Sequence, residues 1–580
     1  MKHILSLHKR AWLIGLLFTV ILWSCVFAFS NLHFDVNDDQ FILRSVTGNT
    51  SNTCFTFHAH VQSFITAPLI LLGRLFPLIP WFSFMQIMLM MLSTVTIIKS
   101  IILCFSRKFS RYLFFISVCF ALCCVLVYLY YPSVVLTYST VAAVLCAAAV
   151  AHLMSINFEY ASDKNLLLSS LYSLFLLVIS YGLREMAALP GLAFCFIVFL
   201  YRYITVFGWG KHVKRSAKPM FIIFIIVVTT FTGLISARQA EISMSGQRDF
   251  MDWHQARMDV IDYIDLDQIS PETLGTIGWT TNDAHLLKQW YTLDSQYETK
   301  DFEYIADVHS NAKLYAPPGI AVEQFRLHHP YIFSSILFLV PLGGICLLGA
   351  LVSEQRRWAA AVLCADGIVC GGLLLYLAWV GRLLVRSAMT PLIPAAVLLF
   401  CLIPECLPTF QVTLTRCKKV GCLLIYVGLC LATLAYTAYY FVPTARSTRY
   451  IKPKWDYDTY ASRDAVALQN PDLLFIYSGD IVNDLRVFPD FSKGIPSNLL
   501  TWGGWMAHTE EYNAKLAVFG IDGDQFSAQD WLHPSVRLLT IEQEPNAALI
   551  TYLCEKLALP VQWERTQMDA ALFAYRFYTE

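Results

Sequence analysis

The sequence predicts an α-helical protein that crosses a membrane many times and ends in a small α/β domain. The chain has 580 residues, of which 57% are hydrophobic and 14% are charged, and its mean hydropathy is +0.53. Soluble domains carry roughly 25% charged residues, so most of this chain must lie in lipid. About eleven apolar segments reach the length of ~20 residues that a membrane-spanning helix needs. The predicted fold class is therefore an all-α polytopic membrane protein.

The predicted spans cover residues 11–30, 81–104, 112–131, 134–156, 166–182, 187–206, 219–236, 331–352, 358–379, 388–407 and 420–442. Lys and Arg residues fall in alternate connections between these segments. Because cytoplasmic loops carry the excess of Lys and Arg, the alternation places the N-terminus inside. An odd number of crossings then places the C-terminus outside. The first segment is too long for the core of a signal peptide, and we expect it to stay as an anchor helix.

The predicted domain boundary lies at residue 442. Residues 1–442 form a membrane module with outer loops at 31–80 and 237–330, and residues 443–580 form an extracytoplasmic α/β domain. Within the first loop, residues 59–80 are apolar but interrupted by polar residues, which favours helices lying in the membrane interface. In the C-terminal domain, the patterns predict strands at 473–477, 536–541 and 573–577, and helices at 461–468, 513–519 and 547–557.

Three carboxylates, Asp35, Asp38 and Asp39, lie within five positions just after the first span. One interpretation is a solvated turn or a helix start, and the other is an active site at the membrane surface. A carboxylate there can accept a proton from a hydroxyl group. Adjacent carboxylates also suit a divalent cation such as Mg²⁺ or Mn²⁺. Both roles fit transfer from a lipid-linked phosphate donor, whose reactive bond lies at the headgroup level. A nucleotide-sugar donor would need a Gly-rich site, which the sequence lacks.

Other polar residues at predicted outer ends are candidates for substrate binding. Arg382 and Arg386 are four residues apart, so they share a face if their segment is helical. Guanidinium groups suit phosphate oxygens, and the alternative is that both side chains extend to the lipid headgroups. Trp502 and Trp505 suit stacking on sugar rings, although core packing explains most tryptophans.

Arg184 and Glu185 interrupt an apolar stretch. Charges at such positions usually face protein or a cavity, and the alternative is a short outer loop. His58 and His60 follow the acidic cluster and are candidates for substrate binding, with a structural role as the alternative.

The order of features along the chain resembles that of the GT-C glycosyltransferases. These features are one span, an acidic pair at the start of the first outer loop, Gly48 ten residues after Asp38, interfacial helices and then many spans. Protein O-mannosyltransferases and the aminoarabinose transferases of lipid A are members of this superfamily. The resemblance covers roughly residues 1–440. It implies a polyprenyl-phosphate sugar donor and inversion at the sugar. It also implies Asp38 as the base, with Asp39 as the second choice.

Two further segments are similar to motifs of this superfamily but differ from them in sequence. His58-Ala59-His60 occupies the place of a His-Pro-Pro segment and lacks the prolines. The segment from Gly381 to Arg386, followed by prolines, is similar to an Arg-Tyr segment with Leu in place of Tyr.

The sequence therefore predicts a membrane glycosyltransferase that moves a sugar to a glycan, lipid or protein acceptor on the outer face of the membrane. We expect a bacterial plasma membrane as its location and membrane lipids as its surroundings. The net charge of +0 offers no general attraction for nucleic acid. One alternative is a polysaccharide polymerase or ligase, which would use arginines of the 237–330 loop; these are Arg238, Arg248, Arg257 and Arg326. Another is a transporter or flippase of lipid-linked sugars, although the sequence lacks the internal repeats typical of transporters.

Overall fold

The computed structural model describes residues 2–47, 57–106, 111–158, 161–207, 218–309, 330–352, 356–406, 457–477 and 485–580, together with residues 424, 427–428, 430–436 and 439. The chain forms two compact units. The first, here called the helical unit, comprises Met1–Asp35, Phe84–Ser236 and Ala316–Ile451. The second, here called the mixed unit, comprises Val36–Ser83, Ala237–Tyr315 and Lys452–Glu580.

Long apolar helices dominate the first three quarters of the chain. They are α1 (Lys2–Phe29), α4 (Trp81–Ser106), α5 (Arg111–Val134), α6 (Tyr138–Ser155), α7 (Asp163–Leu183), α8 (Glu185–Phe207), α9 (Lys218–Met244), α14 (Pro330–Val352), α15 (Arg356–Trp379) and α16 (Val385–Cys406). Shorter helices lie between them: α2 (Asn37–Thr47), α3 (Ser63–Leu75), α10 (Arg248–Ile261), α11 (Pro271–Thr276), α12 (Thr281–Lys288) and α13 (Thr299–Val308).

Within the described residues, nine of the long helices are apolar enough to cross a membrane, and α14 contains a shorter apolar stretch, Ile332–Leu347. The chain is thus an integral, multi-pass membrane protein. The predicted span at 420–442 lies mostly outside the described residues, so the count of eleven stays a prediction, as does the orientation. Pro132 lies inside α5, whereas the break at Arg184 separates α7 from α8.

Helix α6 forms the centre of the helical unit, and all of its residues are buried. Its sequence is rich in alanine, which lets neighbouring helices approach closely. It packs against α7, α8 and α16. At Gly191 of α8, an added Cβ would lie only 2.2 Å from the sulfur of Cys146 in α6. A side chain at residue 191 would therefore push these two helices apart.

Two short strands organise one end of the helical unit. Strand β1 (His33–Phe34) follows α1, and strand β2 (Val135–Leu136) follows α5. The two strands pair in parallel. Directly after β2, Thr137 caps α6 by accepting a hydrogen bond from the backbone of Ser139. The ends of α1 and α5 and the start of α6 are thereby tied together.

The mixed unit contains a five-stranded sheet with the order β4-β3-β5-β7-β6. The strands are β3 (Leu474–Tyr477), β4 (Leu499–Thr501), β5 (Val536–Thr540), β6 (Val561–Asp569) and β7 (Leu572–Thr579). Strand β3 pairs in parallel with β4 and β5, whereas β7 is antiparallel to β5 and β6. The same part of the chain contains three helices, α17 (Tyr457–Gln469), α18 (Glu510–Ala517) and α19 (Ala547–Leu557).

The three strands and three helices predicted near the C-terminus are found, and α19 has the predicted bounds. Of the structural interpretations of the acidic cluster, the helix start is observed and the solvated turn is not, because α2 begins at Asn37 and its first turn contains both Asp38 and Asp39. The predicted division placed residues 31–80 and 237–330 with the membrane module. The compact units instead group Val36–Ser83 and Ala237–Tyr315 with Lys452–Glu580. The functional domain boundary and the extracytoplasmic location stay predictions.

Candidate functional site

Asp35 lies at the strand-paired end of the helical unit. It follows β1 directly, and its backbone N–H donates to the carbonyl oxygen of Leu136 in β2 over 2.9 Å. The carboxylate oxygen Oδ2 of Asp35 lies 3.8 Å from Nη1 of Arg386. Both side chains are about a quarter exposed, at 28% and 27%. This ion pair is accessible, and pairs of this kind contribute little to stability.

Arg382 and Arg386 lie on either side of the start of α16. Gly381 has a φ of 69°, a left-handed conformation that glycine adopts easily, and it lies in the connection between α15 and α16. Arg382 follows in this connection, with its backbone N–H bonded to the carbonyl oxygen of Leu377 over 2.9 Å. Arg386 lies in the first turn of α16. The two arginines do not share a helical face, because Arg382 precedes the helix.

Arg184 caps the C-terminus of α7 in an extended conformation. Its guanidinium carbon lies 5.7 Å from the ring centre of Tyr138, at the start of α6. Such a contact is a favourable cation–π geometry. Glu185 is exposed and lies in the first turn of α8, where a negative charge stabilises the helix. Arg184 thus lies at the same end of the helical unit as Asp35. The position of Glu185 is explained by its stabilisation of the start of α8.

Asp38 and Asp39 lie in the first turn of α2, in the mixed unit. Acidic residues stabilise a helix at this position, so both have a structural reason to be there. Their surroundings differ. Asp38 is partly buried, and its Oδ1 accepts a hydrogen bond of 2.9 Å from the indole nitrogen of Trp505. Asp39 is fully buried. Of the two carboxylates, only Asp38 is therefore partly accessible from solvent.

The ring of Trp505 connects Asp38 to the predicted histidine segment. The ring centres of His60 and Trp505 are 5.5 Å apart, and those of His60 and His254 are 5.2 Å apart. His58 is buried, and its carbonyl oxygen accepts a hydrogen bond of 2.6 Å from Arg238. His60 thus lies beside the Asp38–Trp505 contact, whereas His58 serves to anchor its segment. Trp505 itself is 8% exposed, too little to offer its face to a sugar ring.

Three polar contacts fix α2 to the C-terminal part of the mixed unit. Besides the bond between Asp38 and Trp505, Arg44 pairs with Asp464 over 2.9 Å. The third contact joins Ser45 to Glu511, with a hydroxyl-to-carboxylate distance of 2.7 Å.

Asp464 and Glu511 both remain charged in this arrangement. Burial acts to raise the pKa of Asp464, but Arg44 and Arg463 outweigh it and lower that pKa to about 2. Burial likewise acts to raise the pKa of Glu511, and Lys515 with Ser45 more than offsets it, so the pKa is lowered. Sequence reasoning missed these contacts, because no local pattern links α2 to residues more than 400 positions away.

The arginines required by the polymerase alternative mostly have internal partners. Arg238 pairs with Glu241 over 3.0 Å. Arg257 is buried, with its guanidinium carbon 5.8 Å from the ring centre of Trp253. Arg248 bonds the hydroxyl of Ser243 over 2.8 Å, and Arg326 lies outside the described residues.

Within the part of the chain that the structure describes, no three His, Cys, Asp or Glu side chains come together as metal ligands. One oxygen of Asp38 accepts the indole N–H, and Asp39 is fully buried. These surroundings do not fit a cation shared by the two carboxylates, so no step is assigned to a metal.

Neither protein-family models nor curated proteins give a match to this chain. Among solved structures, the chain is similar to one described as the crystal structure of ArnT from Cupriavidus metallidurans bound to undecaprenyl phosphate. The two chains share 11% identity, and the match covers 97% of each, with a TM-score of 0.46. A likeness this distant assigns neither a family nor an activity to the chain.

Proposed function

We propose that this protein is a membrane glycosyltransferase that moves a sugar from a polyprenyl-phosphate donor to an acceptor hydroxyl. The observation that carries the proposal is the environment of the Asp38 side chain. This partly buried carboxylate follows the first membrane helix closely and is oriented by a neutral indole N–H. A carboxylate in that position is suited to accept a proton from a hydroxyl group.

A lipid-linked donor fits the remainder of the chain. Its tail stays in the bilayer, and its reactive bond lies at the headgroup level, near the end of α1 where the acidic residues begin. The resemblance in motif order to GT-C glycosyltransferases supports the same donor. The charge alternation along the sequence supports the outer face of the membrane as the place of reaction, and a bacterial plasma membrane is part of the same proposal.

Asp38 acts as the base in this proposal. The acceptor hydroxyl attacks the anomeric carbon and loses its proton to Asp38. The bond between that carbon and the phosphate oxygen breaks, and polyprenyl phosphate leaves. Attack opposite the leaving group inverts the anomeric carbon. Asp39 is less suited to this role because its side chain is fully buried.

The arginines of the helical unit bind the donor phosphate in this proposal. Arg386 lies in the first turn of α16 and is 27% exposed, with Asp35 as its neighbour. Arg382 lies in the preceding connection. Guanidinium groups stabilise the negative charge that develops on a departing phosphate. Arg184 contributes positive charge at the same end of the helical unit.

The test compares donor consumption in membranes from cells that make the wild type, Asp38→Asn or Glu510→Gln. Glu510 is the matched control, because it is an exposed acidic residue in the first turn of α18 in the same unit. We expect the wild type and Glu510→Gln to deplete the polyprenyl-phosphate sugar, measured by mass spectrometry, and Asp38→Asn to leave it intact. Equal consumption by all three would refute Asp38 as the base. No consumption of any polyprenyl-phosphate sugar by the wild type would refute the function.

One observation favours transport of lipid-linked sugars as a second candidate. Asp366 lies near the middle of α15 and is 3% exposed. Its Oδ1 has no hydrogen-bond partner among the described residues, and carboxylates within a membrane often mark transport pathways. If Asp366→Asn abolishes movement of a lipid-linked sugar across vesicle membranes while Asp38→Asn does not, transport is the better assignment.

A further inference from the structure

The contact between Trp505 and Asp38 joins residues that are far apart in the sequence. The indole nitrogen of Trp505 donates to Oδ1 of Asp38 over 2.9 Å. Within the described residues, no ion pair is formed by Asp38. The indole is therefore the group that orients this carboxylate, and it does so without adding a positive charge.

The turn that carries Trp505 has a constrained backbone. Gly503 and Gly504 have φ values of 155° and 83°, conformations that favour glycine. An added Cβ at Gly503 would lie 2.2 Å from the carbonyl oxygen of Trp290 and 2.4 Å from the backbone nitrogen of Thr292. The N–H of Gly504 donates to that same carbonyl oxygen over 3.0 Å. The close approach of residues 290–292 therefore fixes the position of Trp505.

The ring of Trp505 is also held from its sides. The ring centre of Phe41 is 6.2 Å away in an edge-on arrangement, and that of His60 is 5.5 Å away. Because the side chain is 8% exposed, it has little freedom to rotate. The direction of the indole N–H is thus set by the surrounding packing before any substrate binds.

Helix α2 has anchors that do not depend on Trp505. Arg44 pairs with Asp464, and Ser45 bonds Glu511. Loss of the indole N–H should therefore leave the helix in place and release only the Asp38 carboxylate. Because these anchors are independent of Trp505, an effect of a Trp505 substitution on Asp38 can be distinguished from a general loss of structure.

We propose that Trp505 is a positioning residue for Asp38. Its N–H holds Oδ1 of the carboxylate, which directs Oδ2 toward the acceptor hydroxyl. This inference rests on the proposed function, since it assigns Asp38 the role of base. It adds that a residue of the C-terminal segment determines the geometry of that base, so residues 457–580 contribute to the chemical step as well as to the fold.

The kinetic test compares Trp505→Phe, Trp505→His and Trp502→Phe. Trp502 is the matched control, because its indole nitrogen donates to the carbonyl oxygen of Gln289 over 3.1 Å and the side chain is buried. We expect Trp505→Phe to lower kcat by about tenfold to hundredfold with little change in the donor KM, since a hydrogen bond to a charged group is lost. Trp505→His keeps a ring N–H and should recover part of the rate. Trp502→Phe should keep the wild-type kcat.

A spectroscopic measurement tests the contact without any reaction. In protein labelled with ¹⁵N at the indole nitrogens, the Trp505 signal is identified by its loss in Trp505→Phe or Trp505→His. We expect Asp38→Ala to shift this signal and to leave the Trp502 signal unchanged. An unchanged Trp505 signal would overturn the proposal.

The two measurements separate the two proposals. If the wild type transfers sugar but Trp505→Phe keeps the wild-type kcat, the positioning role is wrong and the proposed function stands. If the wild type consumes no donor, the proposed function fails. The indole signal then still decides whether Trp505 holds Asp38.

Discussion

Asp35 and Asp38 are three residues apart in the chain, yet they belong to different compact units and have different partners. Asp35 faces the guanidinium group of Arg386 at 3.8 Å, and its backbone is bonded to β2. Asp38 lies in the first turn of α2 and accepts the indole N–H of Trp505 at 2.9 Å. One carboxylate is paired with a cation, and the other is oriented by a neutral donor.

This difference indicates different tasks for two residues that look equivalent in the sequence. A carboxylate beside an arginine neutralises and orients that arginine. A carboxylate held by a neutral donor has no cation beside it, and a neighbouring cation would make a carboxylate a weaker proton acceptor. In the proposed function, Asp35 therefore orients the arginines that are proposed to bind the donor phosphate, and Asp38 takes part in the chemical step.

Among the residues of the helical unit, the largest effect is expected at Arg386. In Arg386→Gln the donor phosphate loses a charged hydrogen-bond donor, so the donor KM should rise by about tenfold to hundredfold. The measurement is the initial rate of transfer as a function of donor concentration. Lys218→Gln, which removes a cation at the start of α9, is the control and should leave KM unchanged. An unchanged KM in Arg386→Gln would remove this arginine from donor binding.

A smaller effect is expected for Asp35→Asn. An exposed ion pair of this geometry contributes about 1 kcal/mol or less, so the donor KM should change by less than about fivefold and kcat should stay near the wild-type value. The same kinetic assay provides both numbers. A fall in kcat of about a hundredfold would show instead that Asp35 is the reacting carboxylate, and the proposed roles of Asp35 and Asp38 would be exchanged.

The smallest effect on transfer is expected for Arg44→Met, which affects the stability of the mixed unit. Loss of the bond to Asp464 should cost about 2 kcal/mol. The pKa of Asp464 is about 2 in the folded protein, below the value of about 3.9 for an unfolded chain. The wild type therefore keeps this stabilisation above about pH 4 and loses it as the pH falls toward about 2.

Removal of Arg44 raises the folded-state pKa of Asp464 toward its unfolded value, so the loss of stability between about pH 4 and about pH 2 should be smaller in the variant than in the wild type. Thermal unfolding of the detergent-solubilised protein between pH 7 and pH 3 measures this. Identical pH dependence in the wild type and Arg44→Met would show that Arg44 does not set the charge state of Asp464.

The sequence predicted those helices and strands whose apolar residues follow a regular local spacing. Helix α19 was predicted with its observed bounds because its apolar residues recur at helical spacing. Strand β6 was missed, since most of its side chains are exposed and it lacks the alternation of a half-buried strand. Strand β4 was missed because it has only three residues.

The candidate site could be predicted only in part. The acidic residues were found because carboxylates are unexpected beside an apolar segment. Their separate environments could not be predicted, because Trp505 and Asp38 are separated by 467 positions. The contact between Arg184 and Tyr138 depends on the packing of α6 against α7 in the same way.

The most direct test compares Asp38→Asn with Asp39→Asn in purified protein, with sugar transfer and thermal stability measured on the same samples. We expect Asp38→Asn to lower kcat by about 10²–10⁴-fold, because a base is lost, and to unfold near the wild-type temperature. Asp39→Asn should lower the unfolding temperature, because its side chain is fully buried, while the folded fraction retains transfer. Full activity of Asp38→Asn together with an inactive, stable Asp39→Asn would contradict the assignment of Asp38 as the reacting carboxylate.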